Sequence, residues 1–239
     1  MSALYTIMSQ LKWRTVIPSL VVCVGAMVTA SAETIYENRA AYVGTFNNGG
    51  FELGNQITLG GTARYLNLFS FEYSLFPAPG ANVQGIVRFY NNDGAQTTTS
   101  YSTPGTKFFE SAPFAVTLGA LGENRNVLNF VPGDGLPTMG IEMPSTPMTW
   151  TVEFQGVQAG DAVGLSLYTP SAEFAPQVFN DYWEQQAGVW TLHNNTTPPL
   201  FGTVFQASVT PVPEPSVALL TLPAALLFWV ASRRNRASR

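Results

Sequence analysis

The middle of the chain alternates. In residues 64–75 (RYLNLFSFEYSL), Tyr65, Asn67, Phe69, Phe71 and Tyr73 fall on one parity and Leu66, Leu68, Ser70, Glu72 and Ser74 on the other. A period of two sustained this long predicts a β-strand covered on at least one face. Similar runs occupy residues 51–59, 83–90, 107–118, 126–131, 148–154, 162–168, 189–192 and 203–209. Between them stand turn formers: Asn47-Asn48-Gly49-Gly50, Pro77-Ala78-Pro79-Gly80, Asn91-Asn92-Asp93-Gly94, Pro104-Gly105 and Pro132-Gly133-Asp134-Gly135. Glycine and asparagine tolerate positive φ and proline fixes its own, so such clusters reverse the chain. No amphipathic helix is evident in this stretch. About eight to ten short strands at this spacing predict an all-β fold, an antiparallel β-sandwich of jelly-roll type, with a barrel as the alternative. The lack of a strict internal repeat disfavours a propeller or solenoid.

Both ends break the pattern. Lys12 and Arg14 precede an uncharged, mostly apolar stretch, residues 15–29, which closes on Ala30-Ser31-Ala32. Positive charge, apolar run and small residues at the two positions a signal peptidase reads predict a secretory signal peptide over residues 1–32, with Glu33 as the first residue after cleavage. At the other end Pro211, Pro213 and Pro215 mark the boundary of the body, because proline cannot donate to a strand ladder. Residues 217–232 then carry no charge. As a helix rising about 1.5 Å per residue they span roughly 24 Å, short of the roughly 30 Å hydrocarbon core of a bilayer. Pro223 interrupts them, Trp229 suits a membrane interface, and Arg233, Arg234 and Arg236 would hold that end in the cytoplasm. The expected organisation is a signal peptide (1–32), a β-sandwich body (33–210) and a tail (211–239) whose single apolar transmembrane helix is a marginal anchor.

The tail has a specific order: Val212-Pro213-Glu214-Pro215-Ser216, the apolar segment, then Arg233-Arg234-Asn235-Arg236. It resembles the PEP-CTERM sorting signal of Gram-negative bacteria. The resemblance implies processing by an exosortase, a membrane transpeptidase-like enzyme, in cells that make extracellular polysaccharide. It implies an exported protein, anchored at least transiently in the inner membrane with its body in the periplasm, then delivered to the cell surface or beyond. It covers roughly the last 28 residues, and such tails join many unrelated bodies.

Charge sharpens the division. Of 11 Lys and Arg, two lie in the signal and four in the tail, while all 15 Asp and Glu lie between Glu33 and Glu214. Five cations against fifteen carboxylates give that span a formal charge of -10. With Lys107 as its one lysine, the body lacks the basic footprint that phosphate backbones require, so nucleic acid is not an expected partner. The single cysteine, Cys23, lies within the signal, so the mature body has no disulfide, thiolate metal site or cysteine nucleophile. It must stand on its hydrophobic core.

Catalytic motifs are absent. His193 is the only histidine and reads, beside Asn194 and Asn195, as a solvated loop residue; no H-E-x-x-H occurs, and Gly164-Leu165-Ser166-Leu167 lacks the second glycine of a nucleophile elbow. Glu142 with Glu153, or Glu110 with Glu123, are the carboxylate pairs a glycosidase would need, without the close spacing of laminarinase-type jelly rolls. Asn91, Asn92, Asp93 and Asp134 offer oxygen ligands, which makes calcium the favoured ion for any metal site, but turn formation accounts for the same residues. The segment Gln155-Gly156-Val157-Gln158-Ala159-Gly160-Asp161 reads as a turn of the kind found at the edges of secreted β-sandwiches. Trp150, on an alternating run, is expected in the core. Tyr182, Trp183 and Trp190 flank a polar stretch and form the candidate glycan contact, with a core role equally open to Trp183. The reading is a non-catalytic cell-surface or extracellular-matrix protein associated with extracellular polysaccharide or biofilm, without cofactor; the alternative is a carbohydrate-binding module or a glycan-active enzyme.

Overall fold

The computed structural model describes residues 31–47, 50–98, 100–118, 124–169, 178–194 and 200–211. The expected signal peptide up to residue 30 lies outside them, as do Glu123 and, in the tail, Val212, Pro213, Glu214, Pro215, Ser216, the apolar segment 217–232 and Arg233, Arg234 and Arg236. The described residues are all-β. In chain order the first eight strands are β1 (Ala32–Glu37), β2 (Ala41–Asn47), β3 (Glu52–Ile57), β4 (Tyr65–Phe76), β5 (Gln84–Asn91), β6 (Lys107–Glu110), β7 (Phe114–Ala115) and β8 (Arg125–Pro132). The rest are β9 (Gly135–Leu136), β10 (Ile141–Glu142), β11 (Met148–Gln155), β12 (Ala162–Thr169), β13 (Val178–Gln186), β14 (Val189–Asn194), β15 (Leu200–Phe201) and β16 (Thr203–Ser208). No helix among them is long and apolar enough to cross a membrane.

Two sheets pack face to face. The first runs β1-β16-β4-β12-β15, with β2 on β12, β8 and β10 on β4, and β9 beside β8; the second runs β14-β13-β3-β11-β5-β6, with β7 also on β5. Apart from the short parallel β8–β9 contact, every pairing is antiparallel. The chain crosses repeatedly from sheet to sheet, so each sheet is closed by strands distant in sequence. Most plainly, β1 pairs with β16, setting Ala32 opposite Ser208. The Glu33 carboxylate reinforces that edge by accepting the Thr62 and Ala63 N–H groups at 3.1 and 2.9 Å.

Aromatic rings fill the space between the sheets. Phe69 on β4 meets Phe89 on β5 at 5.0 Å and Trp150 on β11 at 5.5 Å, and Phe71 meets the same tryptophan at 6.1 Å. Trp150 is fully buried here, in the core position its strand's alternation predicts. Such contacts add about 0.5–1.5 kcal/mol per pair to the burial of the rings themselves. One polar strap crosses the core: Asn55 donates to the Asp181 carbonyl and accepts the Phe201 N–H, both at 3.0 Å, which links β3 to β13 and β15.

The predicted alternation of residues 64–75 holds only from Leu68 onward. Opposite β16, Gln206 pairs with Leu68 and Ala207 with Leu66, so β4 carries one extra residue at Asn67. This β-bulge switches parity, and Leu66 is buried with Phe69, Phe71 and Tyr73 rather than on the opposite face. The predicted run 107–118 is also split, into β6 and β7 on the two ends of β5.

Candidate functional site

The outward face of the second sheet carries the richest side-chain chemistry among the described residues. Its composition follows from strict alternation. On β11, Met148, Trp150, Val152 and Phe154 point into the core, and Thr149, Thr151 and Glu153 point out. Register then places outward residues in rows across the sheet: Tyr90, Thr149 and Gln56; Arg88, Thr151, Gly54, Trp183 and Leu192; and Glu153, Glu52, Gln185 and Trp190.

This face is concave. Tyr90 on β5 and Trp190 on β14 are separated by β11, β3 and β13, four ladder steps, or about 19 Å across a flat sheet. Their rings nevertheless meet edge to face with centroids 5.4 Å apart. The sheet therefore curls toward this side, and the two rings close over the strands between them. Trp183 on β13 lies in that interval and is fully buried, although it is outside the inter-sheet core. Its cross-strand neighbour is Gly54, where a Cβ would run into the Trp150 carbonyl of β11.

At the centre, Arg88 serves three carboxylates. It donates to Glu52 Oε2 at 2.9 Å, Glu153 Oε2 at 2.8 Å and Glu110 Oε2 at 2.6 Å, and Lys107 reaches the same Glu110 oxygen at 2.5 Å. Glu52, only 6% exposed, also accepts the Tyr90 hydroxyl at 3.0 Å and the Thr151 hydroxyl at 2.6 Å. Burial works against the Arg88 cation, but its bonds to Glu110 and Glu153 and the charge of Glu52 outweigh it and raise its pKa above the ordinary arginine value. Burial, then the charge of Glu52 and the bond to it, push the Tyr90 phenol well above the usual tyrosine range. Lys107 and Arg88 hold Glu110 below the usual carboxylate range. Beside the cluster is a cavity of about 300 Å³ lined by Phe51, Glu52, Glu153, Gln185, Gln186 and Ala187.

The three aromatic residues of the candidate glycan contact are not one platform. Tyr182 faces the other way: it packs on Phe46 and Phe201 across the sandwich and stacks on His193 at 4.8 Å. Trp183 and Trp190 share the concave face, Trp183 buried beneath and Trp190 partly exposed above. His193 is a strand residue paired with Tyr182, not a loop residue, and its Nε2 lies 3.7 Å from Glu184 Oε2. Of the carboxylate pairs read from sequence, Glu142 and Glu153 fall on different sheets. The pair that does meet, Glu52 with Glu153 through Arg88, joins strands β3 and β11 that sequence order does not bring together. Alternation could have flagged Glu52, Arg88 and Tyr90 as outward polar positions, but only register reveals them as neighbours.

Of the turn residues that offered oxygen ligands, Asp93 and Asn92 have side-chain partners within the protein. Asp93 accepts the Thr106 N–H at 2.6 Å, a bond that lowers its pKa. Asn92 Oδ1 accepts the Thr149 hydroxyl at 2.7 Å. Asp161 braces the turn read at residues 155–161 by accepting the Ala78 and Gln158 N–H groups. Among the described residues no three His, Cys, Asp or Glu side chains are grouped as a metal site would require. The chain matches no protein-family model, no curated protein and no solved structure.

Proposed function

We propose that the protein is an exported, non-catalytic β-sandwich of jelly-roll type, sorted to the cell surface or extracellular matrix through its PEP-CTERM-like tail, whose concave face holds extracellular polysaccharide. The observation that carries the binding half is the curled outer face of the second sheet, where the partly exposed Trp190 pairs with Gln185 and the amides of Gln185 and Gln186 line the adjoining cavity. Aromatic faces next to planar hydrogen-bonding groups suit sugars, which have apolar C–H faces and hydroxyl rims.

The carboxylate cluster favours binding over hydrolysis. A glycosidase needs a carboxyl that keeps its proton near neutral pH to protonate the leaving oxygen. Each glutamate here is instead ion-paired with the Arg88 guanidinium. For the sorting half, the support is the order of motif, apolar segment and arginines in the tail.

Polysaccharide pull-down with the mature exported protein tests the first half. Retention is expected, reduced by Trp190→Ala; no retention on any polymer refutes it. Mass spectrometry of the mature termini tests the second, with Glu33 expected at the N-terminus. Deletion of residues 212–239 is expected to release the body as a secreted species, and replacement of Glu214 to leave it unprocessed at the membrane. Recovery from the cytoplasm with both termini intact refutes the sorting reading.

A further inference from the structure

Buried polar atoms are almost always hydrogen-bonded, so a cluster of unmet ones calls for a partner. On the concave face three occur in two adjacent rows: Gln56 Oε1, Asn92 Nδ2 and Trp183 Nε1 are buried and have no partner among the described residues. Such atoms also occur elsewhere, among them Asn38 Oδ1, Trp150 Nε1 and Ser166 Oγ, but the three on this face are neighbours. Their adjacency follows from register. Thr149 is the cross-strand partner of both Gln56 and Tyr90, and its hydroxyl bonds Asn92; Trp183 lies in the next row on the same face. The Trp183 side chain is fully buried beneath the Tyr90–Trp190 ring contact.

We propose that Gln56, Asn92 and Trp183 form the floor of a subsite that reads the hydroxyls of a neutral sugar, with Tyr90 and Trp190 as its walls. This rests on the polysaccharide-binding reading and narrows it to a class. The Gln56 carbonyl needs a donor, and the Asn92 amide and Trp183 indole N–H groups need an acceptor. A hydroxyl is both. A carboxylate, sulfate or phosphate only accepts, and it would meet Glu52, Glu110 and Glu153 on the same face of a body that carries a formal charge of -9. An ammonium only donates, which leaves two of the three atoms unmet. The selected ligand is an uncharged, polyhydroxylated chain, a neutral glucan or galactan rather than a polyuronate or a polyamine. Entry requires the Trp190 ring to swing from Tyr90, and Trp190 sits one residue from the exposed Val189 at the tip of the β13–β14 hairpin.

Calorimetric titration of the full mature protein with neutral dextrin, polygalacturonate and chitosan oligomers tests the assignment, with tryptophan fluorescence followed in parallel. The dextrin is expected to bind and to shift the tryptophan emission. Gln56→Met, which keeps length and removes the carbonyl, is expected to weaken it about tenfold or more, as loss of one buried hydrogen bond would. Asn92→Leu serves as a second variant should Gln56→Met fail to fold. Unchanged dextrin affinity in a folded Gln56→Met or Asn92→Leu protein overturns the proposal and assigns the unmet atoms to internal water. Binding of polygalacturonate or chitosan in place of dextrin overturns it too, while leaving the broader polysaccharide reading standing. Binding of none of the three, nor of any polymer in pull-down, refutes both.

Discussion

The outward faces of the two sheets are built from the same parts and differ in how completely those parts are used. On the first sheet Glu72 on β4 is buried under Arg125 and the Tyr168 hydroxyl, which lie 2.8 and 2.5 Å away. On the second, Glu52 is buried under Arg88, Tyr90 and Thr151. In the first set one arginine serves one carboxylate and lies 3.9 Å over the Tyr42 ring, Tyr42, Thr45 and Ser74 form a chain of hydroxyls, and Ser166 Oγ, opposite Thr45, is unmet. The second is oversubscribed, with one arginine shared by three carboxylates and unmet polar atoms in the same row and the next. Residue types alone therefore do not distinguish the two faces; the number of carboxylates that share one arginine does.

The largest expected effect comes from removing each arginine. Arg88→Met leaves three carboxylates facing one another, one of them buried, and is expected to cost about 3–5 kcal/mol in urea unfolding. Arg125→Met leaves one carboxylate that keeps its Tyr168 bond, with an expected cost of about 1.5–3 kcal/mol. Equal costs would break the distinction between the two faces. Next, Tyr90→Phe and Tyr168→Phe each remove a donor to a buried carboxylate, for an expected loss of about 1.5–3 kcal/mol each. Thr151 still donates to Glu52, so the Tyr90 change is expected to be the milder, and the reverse order would count against the reading of Glu52 as the better supplied of the two glutamates.

The pH dependence is smaller and has opposite sign for Tyr168 and Glu110. Burial, then the bond to Glu72 and its charge, push the Tyr168 phenol up to about 12. A raised pKa means that this group's contribution is intact below the ordinary tyrosine value and is lost as pH climbs from about 10 through the raised value. Tyr168→Phe is expected to flatten that alkaline limb in unfolding midpoints. Glu110 on the other face has a lowered pKa, so its contribution is present above the ordinary glutamate value and lost as pH falls through the lowered one. Lys107→Ala is expected to flatten only the acid limb. The smallest effect concerns the hairpin that carries both tryptophans. Its turn, Ala187-Gly188, has φ of 49° and 81°, the left-handed pair that favours Asn-Gly. Ala187→Asn is expected to raise the thermal midpoint, with a gain of about 0.4–1 kcal/mol.

Much of the framework was readable from alternation, because a strand with one face in the core records that fact at every second residue. Runs such as 83–90, 148–154 and 162–168 correspond closely to β5, β11 and β12. The strands that escaped have physical reasons. β13 is polar along much of its length, and its register slips between Val178 and Tyr182, which erases the period. β1 buries the consecutive Ile35 and Tyr36, and β2 is an outer strand with exposed Val43, so neither has a clean buried stripe. The candidate site was less legible. Trp183 and Trp190 stand out by composition, but Gln56, Arg88, Tyr90 and Asn92 join them only through pairings among β3, β5, β11 and β13, and no local pattern records which strands become neighbours.

The pairing of β1 with β16 sets the timing of folding. A ribosome, or any channel that passes the chain N-terminus first, delivers Ile35 and Tyr36 at the outset and the strand that completes their ladder some 170 residues later. At synthesis rates of about 5–20 residues per second, the first strand waits on the order of ten seconds or more with its edge unmatched. The first sheet cannot close until nearly the whole body has emerged, so a truncation before Thr203 leaves β1 without its partner and β4 without a flank.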